Sequence, residues 1–201
     1  MPGEVIRSFA APDTDPQGLT FDGKHLWITD NITDRISQVD LDGNVVGSIA
    51  APSANPQDLA FDGRCLWVVD PTTNLIYQLD LDGNVIKSIP AGSQTSVGLT
   101  FDGRYLWNAD GSINAILQLD LNGQYCDDFA APGTGPRGLT FDGKYLWHAD
   151  KNTDRIYQLN LWGRVMSSFA APGGVGRGLT FDGKYLWHVD AGTDLIYQIA
   201  R

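Results

Sequence analysis

Short apolar stretches alternate with turn residues along this chain on a fixed 40-residue period. In the first unit they are GLTFD (18–22), KHLWITD (24–30), RISQVDL (35–41) and NVVGSIAAP (44–52). Each is rich in aromatic, β-branched and other apolar residues and is bounded by Gly, Pro, Asn or Asp, the pattern of strands and not of helices. The most regular segment recurs as QGLTFDGKHLWITD from Gln17, QDLAFDGRCLWVVD from Gln57, VGLTFDGRYLWNAD from Val97, RGLTFDGKYLWHAD from Arg137 and RGLTFDGKYLWHVD from Arg177. Four strands per 40-residue unit is the period of a propeller blade. The pattern predicts an all-β, five-bladed β-propeller with four antiparallel strands per blade. Its blades fall at 17–51, 57–91, 97–131, 137–171, and 177–200 together with 4–10, in one domain over 1–201.

The connections give the wheel two unlike faces. Asp22-Gly23 and its copies join first to second strands, and Asp42-Gly43, Asp82-Gly83 and Asn122-Gly123 join third to fourth. Asp-Gly and Asn-Gly predict tight hairpin turns with both central residues at positive φ. The other connections, such as Asn31 to Asp34 and Ala11 to Pro16, are longer, so alternating strand direction gathers them on the opposite face, where binding is expected. Residues 4–10, EVIRSFA, match a fourth strand, whereas the chain stops after a third strand, DLIYQIA. Pairing the two would complete blade five and cover its edge.

Leu19 and Phe21 share one face of the first strand, and Trp27 recurs at 67, 107, 147 and 187. These columns predict the core between blades. The Asp column ending the second strands, Asp30, Asp70, Asp110, Asp150 and Asp190, predicts local bonding to its own loop. The alternative is a ring of carboxylates around a divalent cation, Ca²⁺ or Mg²⁺; otherwise no cofactor is implied.

Charge narrows the partners. With 14 basic and 24 acidic residues the net charge is −10, which argues against nucleic-acid or anionic-membrane binding and leaves a peptide, a glycan or a small anion for a monomeric wheel. Cys65 and Cys126 lie in different strands of different repeats, and two unpaired thiols are expected. The start, MPGEVIRS, carries no secretory leader, and the compartment stays open.

The unit from Pro16 to Pro52 resembles an NHL-type repeat and the blades of the streptogramin (virginiamycin B) lyase group. The likeness runs through the small-residue lead into the first strand, the LW-x-x-D second strand, the D/N-x-I-x-Q third strand and the Asp-Gly turn. It implies a propeller with its ligand on the long-loop face. Those families typically close with six or seven blades, and the lyases use a His and Glu constellation with magnesium. Here Glu4 is the only glutamate, so no catalytic residue carries over.

In a repeating ring a specialised site must break the repetition. One column of the second strand reads Ile28, Val68, Asn108, His148, His188; the residue before the first strand reads Gln17, Gln57, Val97, Arg137, Arg177. Blades four and five thus share an Arg and a His. Two guanidinium groups can grip a carboxylate or phosphate, with the imidazoles as bases or metal ligands. Duplication of RGLTFDGKYLWH would equally copy both residues without a site. Trp162 replaces a turn Asp or Asn, either as an exposed anchor or by drift. Three readings follow: a non-enzymatic binding or scaffold propeller, a metal-assisted lyase or hydrolase, and an amplified or engineered tract with no evolved activity.

Overall fold

The computed structural model describes residues 1–93 and 95–201. The chain opens with β1 (Val5–Ala10), and blade one follows as β2 (Pro16–Phe21), β3 (Leu26–Asp30), β4 (Arg35–Val39) and β5 (Val45–Ala50). Blade two is β6 (Asp58–Phe61), β7 (Leu66–Asp70), β8 (Leu75–Leu79) and β9 (Val85–Pro90). Blade three is β10 (Ser96–Phe101), β11 (Leu106–Asp110), β12 (Ala115–Leu119) and β13 (Tyr125–Ala130). Blade four is β14 (Pro136–Phe141), β15 (Leu146–Asp150), β16 (Arg155–Leu159) and β17 (Val165–Ala170). The last three strands are β18 (Gly176–Phe181), β19 (Leu186–Asp190) and β20 (Leu195–Ile199).

The fifth sheet has the order β1-β20-β19-β18, with β1 antiparallel to β20 in the register Ser8↔Tyr197 and Phe9↔Ile196. Blade five is therefore made from both ends of the chain, as the fourth-strand pattern of EVIRSFA predicts. The first strands β2, β6, β10, β14 and β18 touch their neighbours in a closed circle around the axis.

Five apolar clusters fill the spaces between blades. One holds Trp27 with Leu59, Leu66 and Val68 of the next blade, and another holds Trp187 with Leu19, Leu26 and Ile28. All five column tryptophans are buried. Each indole keeps one polar contact: Trp27 Nε1 donates to Asp22 Oδ2 at 2.8 Å, and Asp62, Asp102, Asp142 and Asp182 accept from their own tryptophans in the same way. That bond satisfies the single donor that burying a tryptophan would otherwise strand.

The turns differ from the two-residue hairpins expected. Only the glycines take positive φ, Gly23 at 96° and Gly43 at 90°, while the aspartates before them do not. Asp22 N instead donates to His25 O across a four-residue loop, and Asp22 Oδ1 accepts from the amides of Lys24 and His25. The aspartate is selected for its carboxylate, which caps the loop and holds the indole. A tolerance of left-handed backbone plays no part. Across the long-loop face the non-glycine left-handed residues are Asp34, Asn74, Asn114, Asp154 and Asp194.

Glycine has a second use in the first strands. A Cβ added at Gly98 would lie 2.0 Å from the carbonyl oxygen of Arg137, and one at Gly138 would lie 2.3 Å from that of Arg177. The innermost strands approach so closely that a side chain has no room.

Candidate functional site

Each first strand starts on the long-loop face, so the residues at 17, 57, 97, 137 and 177 surround the mouth of the axis. Gln17 donates to Asp15 Oδ1 at 2.7 Å and Gln57 to Asn55 Oδ1 at 2.8 Å, so both amides are engaged locally. The arginines are not. Arg137 Nη1 reaches only the carbonyl of its neighbour Pro136, at 3.3 Å, and the Nε atoms of Arg137 and Arg177 are buried with no acceptor among the described residues. A cavity of about 360 Å³ opens here, lined by Gln57, Pro71, Thr95, Val97, Gly111 and Arg137. Its size suits a small ligand.

The mouth is cationic on an acidic protein. Burial, with Arg177 beside it, lowers the Arg137 guanidinium to about 10, against the pull of Asp150. Lys151 is lowered as well, first by Arg137, then by burial and Arg177. None of the three forms an ion pair within 4 Å among the described residues. On the opposite face a similar depression of about 350 Å³ contains Arg201, but that guanidinium is already paired with Asp142 at 2.7 Å. Sequence reasoning passed over Lys151. The column that ends Asn31, Pro71, Gly111, Lys151, Ala191 carries the signal, since a lone cation there follows the second strand of an Arg-bearing blade.

His148 and His188 are fully buried within blades four and five and do not open onto the mouth. His148 stacks on Tyr157 at 6.3 Å, and His188 Nδ1 lies 3.2 Å from the Gly178 carbonyl oxygen. Burial lowers both imidazoles to about 4, outweighing the nearby Asp150 and Asp190, so both are neutral at pH 7. Asn108, in the same column, donates to Ala91 O at 2.6 Å and Ser96 Oγ at 2.7 Å, tying its strand to the preceding loop.

The Asp column is committed to its own loops. Asp30 Oδ1 accepts from the amides of Ile32 and Thr33, and Oδ2 accepts from the Asp15 amide. Asp70, Asp150 and Asp190 repeat the arrangement, and Asp110 holds Ser112 and Thr95. Among the described residues no three His, Cys, Asp or Glu side chains converge as a metal set. Trp162 is 82% exposed in its turn, and of the two free cysteines Cys65 is buried and Cys126 exposed.

One residue that sequence reasoning missed stands at the centre. The column that reads Gly18, Gly98, Gly138 and Gly178 has Asp58 in blade two, fully buried. Its Oδ1 accepts from the amides of Leu19 at 3.1 Å and Leu59 at 2.9 Å, and its Oδ2 from that of Leu99 at 2.8 Å. The Leu139 amide of blade four also favours its charged form.

No family model matches the chain, and no curated protein is similar to it. Solved structures are. Glutaminyl cyclase of Myxococcus xanthus superposes with a TM-score of 0.84 over 99% of this chain and 97% of that one, at 14% identity. Virginiamycin B lyase of Staphylococcus aureus gives 0.59 at 21% identity, over 96% of this chain and 68% of the lyase. A streptogramin B lyase gives 0.58 at 16% identity, over 96% of each. The chain shares their β-propeller fold. At these identities the likeness is one of architecture, and the lyase-like character of the repeat holds at that level.

Proposed function

We propose that this propeller is a non-enzymatic binding module that takes a small anion, a carboxylate or a phosphate, at the long-loop mouth of its axis. The observation that carries this reading is the pair of partly buried guanidiniums on adjacent blades whose Nε donors have no acceptor among the described residues, with Arg137 lining an open cavity. Guanidinium forks match carboxylate and phosphate oxygens, and a bound anion would relieve the mutual repulsion of Arg137, Arg177 and Lys151. The polar Gln57 and Thr95 and the apolar Pro71 and Val97 on the cavity wall suit a ligand with a short organic body.

Calorimetry with inorganic phosphate and with a small dicarboxylate tests it. Saturable binding that weakens with salt is expected. The double variant Arg137→Gln, Arg177→Gln, which restores the residue of blades one and two, should lose about 10–100-fold in affinity, the worth of one or two charge-assisted hydrogen bonds. Absence of saturable binding by the wild-type chain, or equal binding by the variant, refutes the reading. The second reading is a metal-assisted lyase or hydrolase using His148 and His188, favoured by the cyclase and lyase folds among the structural neighbours. Sealed, neutral histidines speak against it.

A further inference from the structure

The axis of the wheel poses a problem of polar satisfaction. At the column after the mouth residues, the first strands come so close that four of five positions are glycine, and the backbone amides of Leu19, Leu59 and Leu99 turn toward one central acceptor. Buried amides need acceptors, and these three find theirs in one side chain. Asp58 answers from one blade for several. Its carboxylate bonds Leu59 of its own blade and Leu19 and Leu99 of the two flanking blades, and the Leu139 amide of a blade that is not adjacent favours its charged form. A side chain that bonds three blades at once lies at the hub.

We infer that the hub is a cage of backbone amides built for one small anion, and that Asp58 is the anion that fills it.

Three observations support this. First, two carboxylate oxygens offer about four lone-pair sites, and amides from three blades engage them. Second, these bonded partners are all donors, so the negative charge is balanced by peptide dipoles without a bonded basic side chain, as in anion-binding backbone nests. Third, the column has room for one such residue only. A Cβ at Gly178 would lie 2.5 Å from Leu19 N, and one at Gly18 would lie 2.4 Å from the Asp58 Cα. Blade two makes the exception by starting β6 at Asp58, two residues later than the first strands of the other blades, with Asp58 opposite Val69 and without the register shift that the other four blades have there. Burial pushes the Asp58 carboxyl well up from its ordinary range, and the amides of Leu99, Leu59, Leu19 and Leu139 pull against it. An acid proton on it would find no acceptor among those four partners.

The test is chemical rescue. Asp58→Gly restores the residue of the other four blades and empties the cage. Sodium formate, a carboxylate without a side chain, should then raise the melting temperature of the variant by about 3–6 °C at roughly ten times its Kd, beyond any rise in the wild-type chain with the same salt. Equal responses in the two chains overturn the proposal. The wild-type chain gives an independent measurement that does not depend on the variant folding. As pH is varied, the amide proton resonances of Leu19, Leu59 and Leu99 should shift together with one common midpoint, since a single carboxyl governs all three. Movement of Leu59 alone, with the other two unmoved, overturns it equally.

Discussion

Burying two neutral histidines makes this wheel sensitive to mild acid, and the size of the effect follows from the structure. His148 and His188 titrate in the folded chain at about 4, against 6.5 for an exposed imidazole. Between those values the unfolded chain takes up protons that the folded chain refuses, so each proton favours unfolding. The stability contribution is fully present above pH 6.5, falls as pH drops, and levels off below about 4, where the folded state is protonated as well. With one pKa unit worth about 1.4 kcal/mol, the limiting loss is about 3 kcal/mol per histidine, and the pair should withdraw about 5 kcal/mol by pH 4.5. That is a large share of the roughly 5–15 kcal/mol that holds a typical domain. Urea unfolding followed by tryptophan fluorescence at pH 7.5 and 4.5 measures it. The comparison is with the double variant His148→Val, His188→Val, which carries the residue of blade two. Aspartates titrate alike in both chains and cancel, so the wild-type chain should lose about 5 kcal/mol more than the variant over this interval. Losses equal to within about 1 kcal/mol would show that the imidazoles are charged or solvated in the folded state, and the burial argument would fall.

Two further substitutions probe the ring itself. Phe9, which packs on Trp187 with ring centroids 5.8 Å apart, is the counterpart of Phe169, which packs on Trp147 at 6.0 Å. Phe9→Ala and Phe169→Ala should each cost about 2–4 kcal/mol in chemical denaturation, because each vacates a partly buried aromatic site; a silent Phe9→Ala beside a costly Phe169→Ala would mean that β1 does not hold blade five closed. Gly98→Ala should cost more than Gly23→Ala in the same assay. The first forces a methyl against a backbone oxygen, whereas the second meets no atom within 4 Å and bears only the left-handed φ of 96°, worth about 1–2 kcal/mol.

The architecture was legible because it is written five times. A 40-residue period, a Trp column and a spare fourth strand at the start need no tertiary information to be read as a closed wheel. Depth was not legible. Strand alternation tells which side of a strand His148 and His188 occupy, but how far they lie from water depends on the neighbouring blade, and both proved to be sealed. The turns misled for a related reason. Asp-Gly suggests a backbone preference, whereas Asp22 is there for its two oxygens, one on the loop amides and one on Trp27. The arginine pair was visible as a break in repetition, yet its lack of carboxylate partners and its alliance with Lys151 appear only when adjacent blades are assembled. Asp58 was missed, although it stands as an acid in a glycine column. Its meaning requires the radius of the hub, which no single repeat contains.

The meeting of the chain ends has a consequence for how the polypeptide can be cut. Gly3 N bonds Ala200 O at 2.8 Å and Ala200 N bonds Glu4 O at 2.9 Å, much as Asp40 N bonds Asn44 O at 3.0 Å. Gly3 has φ 84° beside 90° for Gly43, and each stands against a phenylalanine, Phe169 or Phe9. The termini thus meet in a fifth copy of the turn between third and fourth strands, lacking one peptide bond. The molecule is a loop with a movable seam: joining Arg201 to Pro2 and opening the backbone at 42–43, 82–83, 122–123 or 162–163 rearranges the order of translation while leaving every blade in place.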